Sequence, residues 1–218
     1  MVDMSSSAQG GSPSPVQATE NRPLLLLDVD GTMTAVRQQS FPFDYWADYL
    51  TFARSIRARD IRVLFRPDVV RAINAASSEV EVKWHSMWGN DAPIHFAPLV
   101  ELEAFGVTDP NPVGRSLPDE GPGALRWWKY LYILEAEKVA PGRPIMWVDD
   151  SIGIDLHQRM IASPLTPKSL SWIQPRSTRG LDAEDLSSLA SWMDDPSVTR
   201  RILRGSDYDE GGTSFSDG

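Results

Sequence analysis

Pro23-Leu24-Leu25-Leu26-Leu27-Asp28-Val29-Asp30-Gly31-Thr32 decides the reading of this 218-residue chain. Pro23 to Val29 is almost continuously apolar, as expected of a strand buried on both faces, and such strands belong to parallel sheets covered by helices on either side. Charged and turn-forming residues follow at once: Asp28, Asp30 and Gly31. A turn after a strand accounts for Asp and Gly by itself. A calcium loop does not fit, because Gly31 falls at the fourth position of the run instead of the sixth and a strand precedes it.

Outward from this stretch, short apolar runs alternate with amphipathic ones. Strands are expected over Asp60–Phe65, Val80–Trp84, Ile145–Val148 and Ser169–Ile173. Helices are expected over Asp68–Ala76, where Pro67 suits a helix start, and over Ala124–Val139, which Pro141-Gly142 ends. A last helix covers Asp182–Met193, with Asp182 as its N-cap and Leu186, Leu189 and Met193 inward. Asp91–Phe105 reads as helical but broken by Pro93 and Pro98. Strands alternating with helices predict an α/β fold with a mainly parallel sheet and helices on both faces. Ligand sites in such sheets lie beyond the carboxyl ends of the strands.

Those strand ends carry unusual chemistry. Asp28 and Asp30 follow the leucines, His85-Ser86 follows VEVKW, and Asp149-Asp150 follows IMWV. Four carboxylates and a hydroxyl at one sheet edge need a compensating cation, because crowded like charges raise one another's pKa. Mg²⁺ is the simplest choice, a hard cation suited to one or two carboxylates plus water and phosphate oxygens.

The constellation resembles the haloacid dehalogenase (HAD) superfamily of phosphoryl-transfer enzymes over about Pro23 to Met193. Its first motif, DxDGT after a buried strand, is matched by Asp28, Asp30, Gly31 and Thr32; Ser86 fits the second, a Ser or Thr at the end of the next strand. A helical Lys forms the third motif and an acidic pair after a strand the fourth, matched by Asp149 and Asp150. The finer pattern of Trp84, Ser86 and Trp88, then WVDD, then Gly180-Leu181, is similar to a small-cap branch associated with RNA-repair proteins. The resemblance implies a three-layer HAD-like sandwich. It also implies Asp28 as nucleophile forming an aspartyl-phosphate, and Asp30 as acid and then base. Ser86 would hold a phosphoryl oxygen, and Mg²⁺ would sit among Asp28, the Asp30 carbonyl and Asp149 and Asp150, with Asp149 favoured as the nearer ligand of the pair. Lys129, 20 residues before Asp149 and in the first half of its helix, is preferred as the motif lysine over Lys138 near the other end.

Other features carry blander readings. Trp84, Trp127, Trp128, Trp147 and Trp172 are expected in the core, with Trp88, just after Ser86, the exception. His85 reads as a satisfied structural residue or an auxiliary acid. Arg54, Arg57, Arg59 and Arg62 form a basic cluster, ordinarily a solvated face, in the interval where HAD enzymes insert a specificity cap. With 34 residues between Thr32 and Pro67 and 40 between Trp88 and Lys129, only a minimal cap fits. An open site would admit a nucleotide or polynucleotide end as readily as a small phosphomonoester.

Composition bounds the rest. The chain has no cysteine, so disulfides, Cys-ligated metals and a thiol nucleophile are excluded. Its longest aliphatic run, Leu24–Leu27, is far short of the roughly 18 apolar residues of a membrane span. Met1–Gln17 has neither the charged start nor the apolar core of a secretory leader, so a cytoplasmic protein without a membrane partner is expected. Residues 1–22 and 205–218 are poor in apolar residues and are expected to be disordered tails around a domain spanning 23–204. Of the net charge of −9, the C-terminal tail holds −4 and the N-terminal tail −1, leaving about −4 on the domain. Two functions are therefore weighed: a Mg²⁺-dependent phosphatase, or a catalytically silent HAD-fold binding protein that would have no need of so costly a charge cluster.

Overall fold

A computed structural model describes residues 22–36, 50–56, 59–109 and 121–204, and side chains within these except at 50–62 and 121–127. Both expected tails lie outside the described residues, apart from Arg22. That residue's guanidinium donates to the carbonyls of Ser77, Glu79 and Val80.

Six strands form one all-parallel sheet: β1 (Leu24–Leu27), β4 (Glu81–Trp84), β5 (Gly106–Val107), β6 (Ile145–Val148), β7 (Leu170–Gln174) and β8 (Arg201–Leu203). Their spatial order is β5-β4-β1-β6-β7-β8, with every pairing parallel. The chain therefore builds outward from β1 on one side, returns, and builds outward on the other. This is the doubly wound Rossmann-like arrangement, and its ligand crevice opens where the order reverses, beside β1.

The leucine run shows why the sheet is covered on both faces. Leu25 and Leu27 pack with α1 (Pro67–Ala76), α2 (Ala97–Val100) and α5 (Ala183–Asp194). Leu24 and Leu26 pack on the opposite face with α3 (Gly121–Val139) and α4 (Ile154–Ala162). All four leucines are essentially fully buried, and each contributes about 1.5–3 kcal/mol by leaving water. β1 is thus the hinge of two cores, and the chain just past it has little freedom to move.

Between β1 and α1 the chain makes an antiparallel hairpin, β2 (Leu50–Ile56) with β3 (Arg59–Phe65). Its base is tied down by Val63, Leu64 and Phe65, which are buried, and by Ala35 N–H donating to Leu64 O. Arg57 of the basic cluster, and the side chains of Arg54, Arg59 and Arg62, lie outside the described residues.

The expected helix over Asp91–Phe105 is replaced by a π-helical turn over Ala92–Phe96, then α2, which ends at Glu101 in the left-handed region (φ 63°). Pro93 and Pro98 remove the N–H groups that a continuous α-helix would need. Asp182 caps α5 as expected, its side chain accepting from Glu184 and Asp185 N–H while Asp185 reciprocates. Trp192 joins Leu189 on the buried face of α5. Among the described residues, no helix is long and apolar enough to cross a membrane.

Candidate active site

Register alone brings the site together. Leu27 pairs with Trp84 on one side and Val148 on the other, so Asp28, His85 and Asp149 are the next residues of three adjacent strands. The ladder runs one step further: His85 N–H donates to Leu27 O, Asp28 N–H to Val148 O and Asp149 N–H to Ile173 O. All three side chains are buried. The backbone then turns sharply, with Val29 O accepting from Thr32, Met33 and Thr34 N–H. Gly31 sits at φ 69°. A Cβ there would lie 2.2 Å from Asp150 Oδ2, so the glycine of DxDGT lets the Asp150 carboxylate approach the turn as well as permitting its backbone conformation. Asp150 N–H donates to Thr32 Oγ1 (3.1 Å), which clamps this turn to the end of β6.

Carboxylate oxygens of Asp28, Asp149 and Asp150 lie within 4.8 Å of one another. Lys129 reaches into the group from α3, its Nζ 2.6 Å from Asp149 Oδ2 and 3.1 Å from Asp28 Oδ1. It is 5% exposed. Lys138, by contrast, is exposed and paired with Glu135. Asp149 is saturated: Trp147 Nε1 (3.1 Å) and Lys129 share Oδ2, while the Ser151 N–H (2.8 Å) and hydroxyl share Oδ1. Burial opposes its charge, but Lys129 and Ser151 outweigh burial and hold its carboxyl below the usual range.

Asp28 and Asp150 are less well compensated. Burial, reinforced by Asp149, pushes Asp28 up to about 7 against the pull of Lys129 and Ser86. Burial, then Asp149 and Asp28, pushes Asp150 to about 7. Lys129 itself is pulled down by burial but raised further by Asp149 and Asp28, so it stays charged. Among the described residues one cation thus serves three carboxylates, and a charge deficit remains at Asp28 and Asp150. All the donors facing it are hard oxygens, and such a set fits Mg²⁺.

Ser86 is buried beside Asp28 and hydrogen-bonds its carboxylate. Asp30 stands apart: its side chain is exposed and accepts from Trp88 Nε1 at 2.8 Å. Among the described residues, His85 makes no hydrogen bond to a carboxylate. Its Nε2 faces Lys129 O (3.0 Å) and its Nδ1 faces Thr108 Oγ1 (2.8 Å). A carbonyl only accepts, so the proton lies on Nε2, and the single hydroxyl proton of Thr108 is shared between Nδ1 and Trp84 O (3.1 Å). Burial, with the Lys129 charge, drops His85 to about 3, so the ring is neutral.

Sequence reasoning did not find the parts played by Trp147, Ser151 and Thr32. The Asp-Asp-Ser order does carry a signal for Ser151, since Asp readily accepts from the backbone two residues on. An indole inside a fully buried strand carries none. Trp84, Trp128, Trp147 and Trp172 are all buried, whereas Trp88 is half-buried; the Trp127 side chain lies outside the described residues.

The fold and site together define a doubly wound α/β protein with a carboxylate–lysine cluster at its topological switch point. No family model matches the sequence, and no curated protein matches it closely enough to count as a relative. Among solved structures, a variant of the fission yeast RNA polymerase II CTD phosphatase Fcp1 bound to beryllium fluoride is similar over 83% of this chain. The identity is 13% and the TM-score 0.40, and this chain spans 54%, about half, of that one. So distant a likeness assigns neither activity nor substrate.

Proposed function

We propose that this protein is a Mg²⁺-dependent phosphatase of the HAD type that hydrolyses a phosphomonoester through an aspartyl-phosphate on Asp28. The carrying observation is the placement of Asp28 at the switch point, buried, with Lys129 3.1 Å from Oδ1 and Ser86 bonded to the same carboxylate. A binding surface gains nothing from burying such a group, whereas a nucleophile benefits from being fixed and desolvated.

In the first step a carboxylate oxygen of Asp28 bonds to phosphorus as the bond to the leaving oxygen breaks, and Asp30 gives that oxygen its proton. In the second, Asp30 takes a proton from water, the water oxygen bonds to phosphorus, and Asp28 is released with inorganic phosphate. Ser86 and Lys129 donate hydrogen bonds to the phosphoryl group and orient it. Asp28, the Asp30 carbonyl and Asp150 would hold Mg²⁺, with Asp149 behind them. Asp150 is the better direct ligand of the pair, because both oxygens of Asp149 are occupied by Lys129, Trp147 and Ser151. When bound, Mg²⁺ supplies the missing positive charge, keeping Asp28 ionised and offsetting charge on the phosphoryl oxygens. The exposure of Asp30 leaves the leaving-group side open to solvent, which suits a bulky phosphoester such as a nucleotide or polynucleotide end.

The test is phosphate release from p-nitrophenyl phosphate, nucleotides and 3′- or 5′-phosphorylated oligonucleotides with Mg²⁺. Turnover is expected in the wild type and a loss of at least about a thousandfold in Asp28→Asn. A wild type that binds Mg²⁺ by calorimetry yet releases no phosphate from the whole panel overturns the proposal.

A further inference from the structure

Asp30 is the one carboxylate of the site that nothing buries. Its backbone is fixed by the turn after β1 and by a bridge to Thr34, but its side chain projects to solvent, where a free aspartate samples several rotamers. Among the described residues, the partner found for its carboxylate is Trp88, whose Nε1 donates to Oδ2 at 2.8 Å. The indole is itself held. It packs against the core beside Phe96, with ring centroids 5.7 Å apart. Its backbone belongs to a tight turn in which Gly89 N–H donates to Ser86 O and Asp91 N–H to Trp88 O.

Ser86 and Trp88 are therefore two positions on one rigid turn, as Asp28 and Asp30 are on the turn opposite. Each residue of one turn bonds its counterpart on the other: Ser86 to Asp28 and Trp88 to Asp30. From this matched pair we infer that Trp88 is a positioning residue for proton transfer by Asp30, just as Ser86 orients the phosphoryl end. The inference rests on the phosphatase reading above. An N–H bonded to one carboxylate oxygen fixes the rotamer and leaves the other oxygen to meet the leaving group. An indole serves here because it reaches from a packed position to a solvent-facing carboxylate while keeping its own ring buried.

Positioning of an acid has a signature that loss of packing lacks. A leaving group that departs easily as an anion needs little protonation, whereas an alkoxide needs a well-placed proton donor. Trp88→Phe keeps the ring and removes only the N–H. It is expected to lower kcat/KM, which reports departure of the leaving group and not the later hydrolysis common to all substrates, about tenfold on β-glycerol phosphate and about twofold on p-nitrophenyl phosphate. Asp30→Asn should show the same bias more strongly, and the double variant should lose little beyond Asp30→Asn alone. Phe96→Leu, which disturbs the same packing without touching the N–H, should affect both substrates alike. An equal loss on the two substrates in Trp88→Phe, additive losses in the double variant, or the same bias in Phe96→Leu overturns the inference. If Asp28→Asn is inactive while Trp88→Phe matches wild type on both substrates, the inference fails alone. If Asp28→Asn retains full turnover, the phosphatase reading itself fails.

Discussion

His85 and Asp149 occupy equivalent places on the two flanks of β1. Each is the residue after a strand paired with Leu27, each is 0% exposed, and each bonds Lys129, His85 at the carbonyl and Asp149 at the ammonium. Their electrostatic fates are opposite. His85 is dropped to about 3 and stays neutral, while Asp149 is held below the ordinary carboxylate range and stays charged. Burial opposes charge in both. What separates them is a counter-ion 2.6 Å away: a cation can offset the desolvation of an anion and can only add to that of an imidazolium. The β4 side of the crevice is thereby neutral and donor-acceptor matched, and the β6 side is ionic.

The strongest way to break that comparison is to remove the cation. Lys129→Met leaves Asp149 and Asp28 buried without it, and breaking a buried pair from one side costs about 3–5 kcal/mol. Urea denaturation should show a loss of that size. Lys129→Met combined with Asp149→Asn should recover part of it, because the second change removes the stranded charge. Equal stability of Lys129→Met and wild type would mean that the pair does not set the ionisation of Asp149.

Much of this arrangement was legible in the sequence, and for a physical reason. β1, β6 and β7 are buried on both faces, whereas β4 alternates buried Val82 and Trp84 with half-buried Glu81 and Lys83; in each strand the residue that follows the run is the residue delivered to the sheet edge. Asp28, His85 and Asp149 could be placed by that logic, and Ser86, one residue further, through the resemblance. The helix carrying Lys129 was visible as a long stretch ended by Pro141-Gly142, and the place of the lysine in its first half, 20 residues before Asp149, put it near the strand ends. Less legible were β5, β8 and α4, which span two, three and nine residues. Elements so short bury too few residues to leave a period; only Leu156 and Met160 are buried in α4. The contact between Trp88 and Asp30 joins residues 58 apart. Nothing in local periodicity encodes it, and an indole in this sequence is most often simply core.

Asp28 and Asp150 lie between the two extremes, with a shared counter-ion that falls short, and Mg²⁺ sharpens the comparison there. Between the ordinary carboxylate value of 3.8 and about 7, the folded metal-free protein holds more protons at these groups than the unfolded chain. Their contribution to stability therefore falls as pH rises through that window. A metal ion competes with those protons, so its stabilisation should be small at pH 5 and grow toward pH 8. At about a hundredfold excess over Kd it should raise Tm by about 5–10 °C at the upper end. Thermal melts with MgCl₂ and with EDTA measure the difference. Asp150→Asn should flatten its pH dependence, and an identical gain at pH 5 and pH 8 would show that these carboxylates are not where the metal binds.

The neutral flank supplies the smallest effect and the finest test. His85→Phe preserves the ring volume but leaves Lys129 O and the Thr108 hydroxyl without a bonding partner on that side, which should cost about 1–3 kcal/mol at pH 7.5. The histidine also carries an acid liability. Its folded value of about 3 lies below the ordinary 6.5, so the unfolded chain binds a proton that the native state refuses. Stability from neutral His85 is fully present above pH 6.5 and is lost as pH falls, by up to about 1.4 kcal/mol per unit. Phenylalanine has no such proton to bind. The advantage of wild type over His85→Phe should therefore shrink as pH is lowered from 7.5 to 5, while the contributions of Asp28 and Asp150 cancel between the two proteins. A gap in unfolding free energy that stays constant over this range would require His85 to be protonated in the fold. The neutral flank and the ionic flank would then have solved burial in the same way.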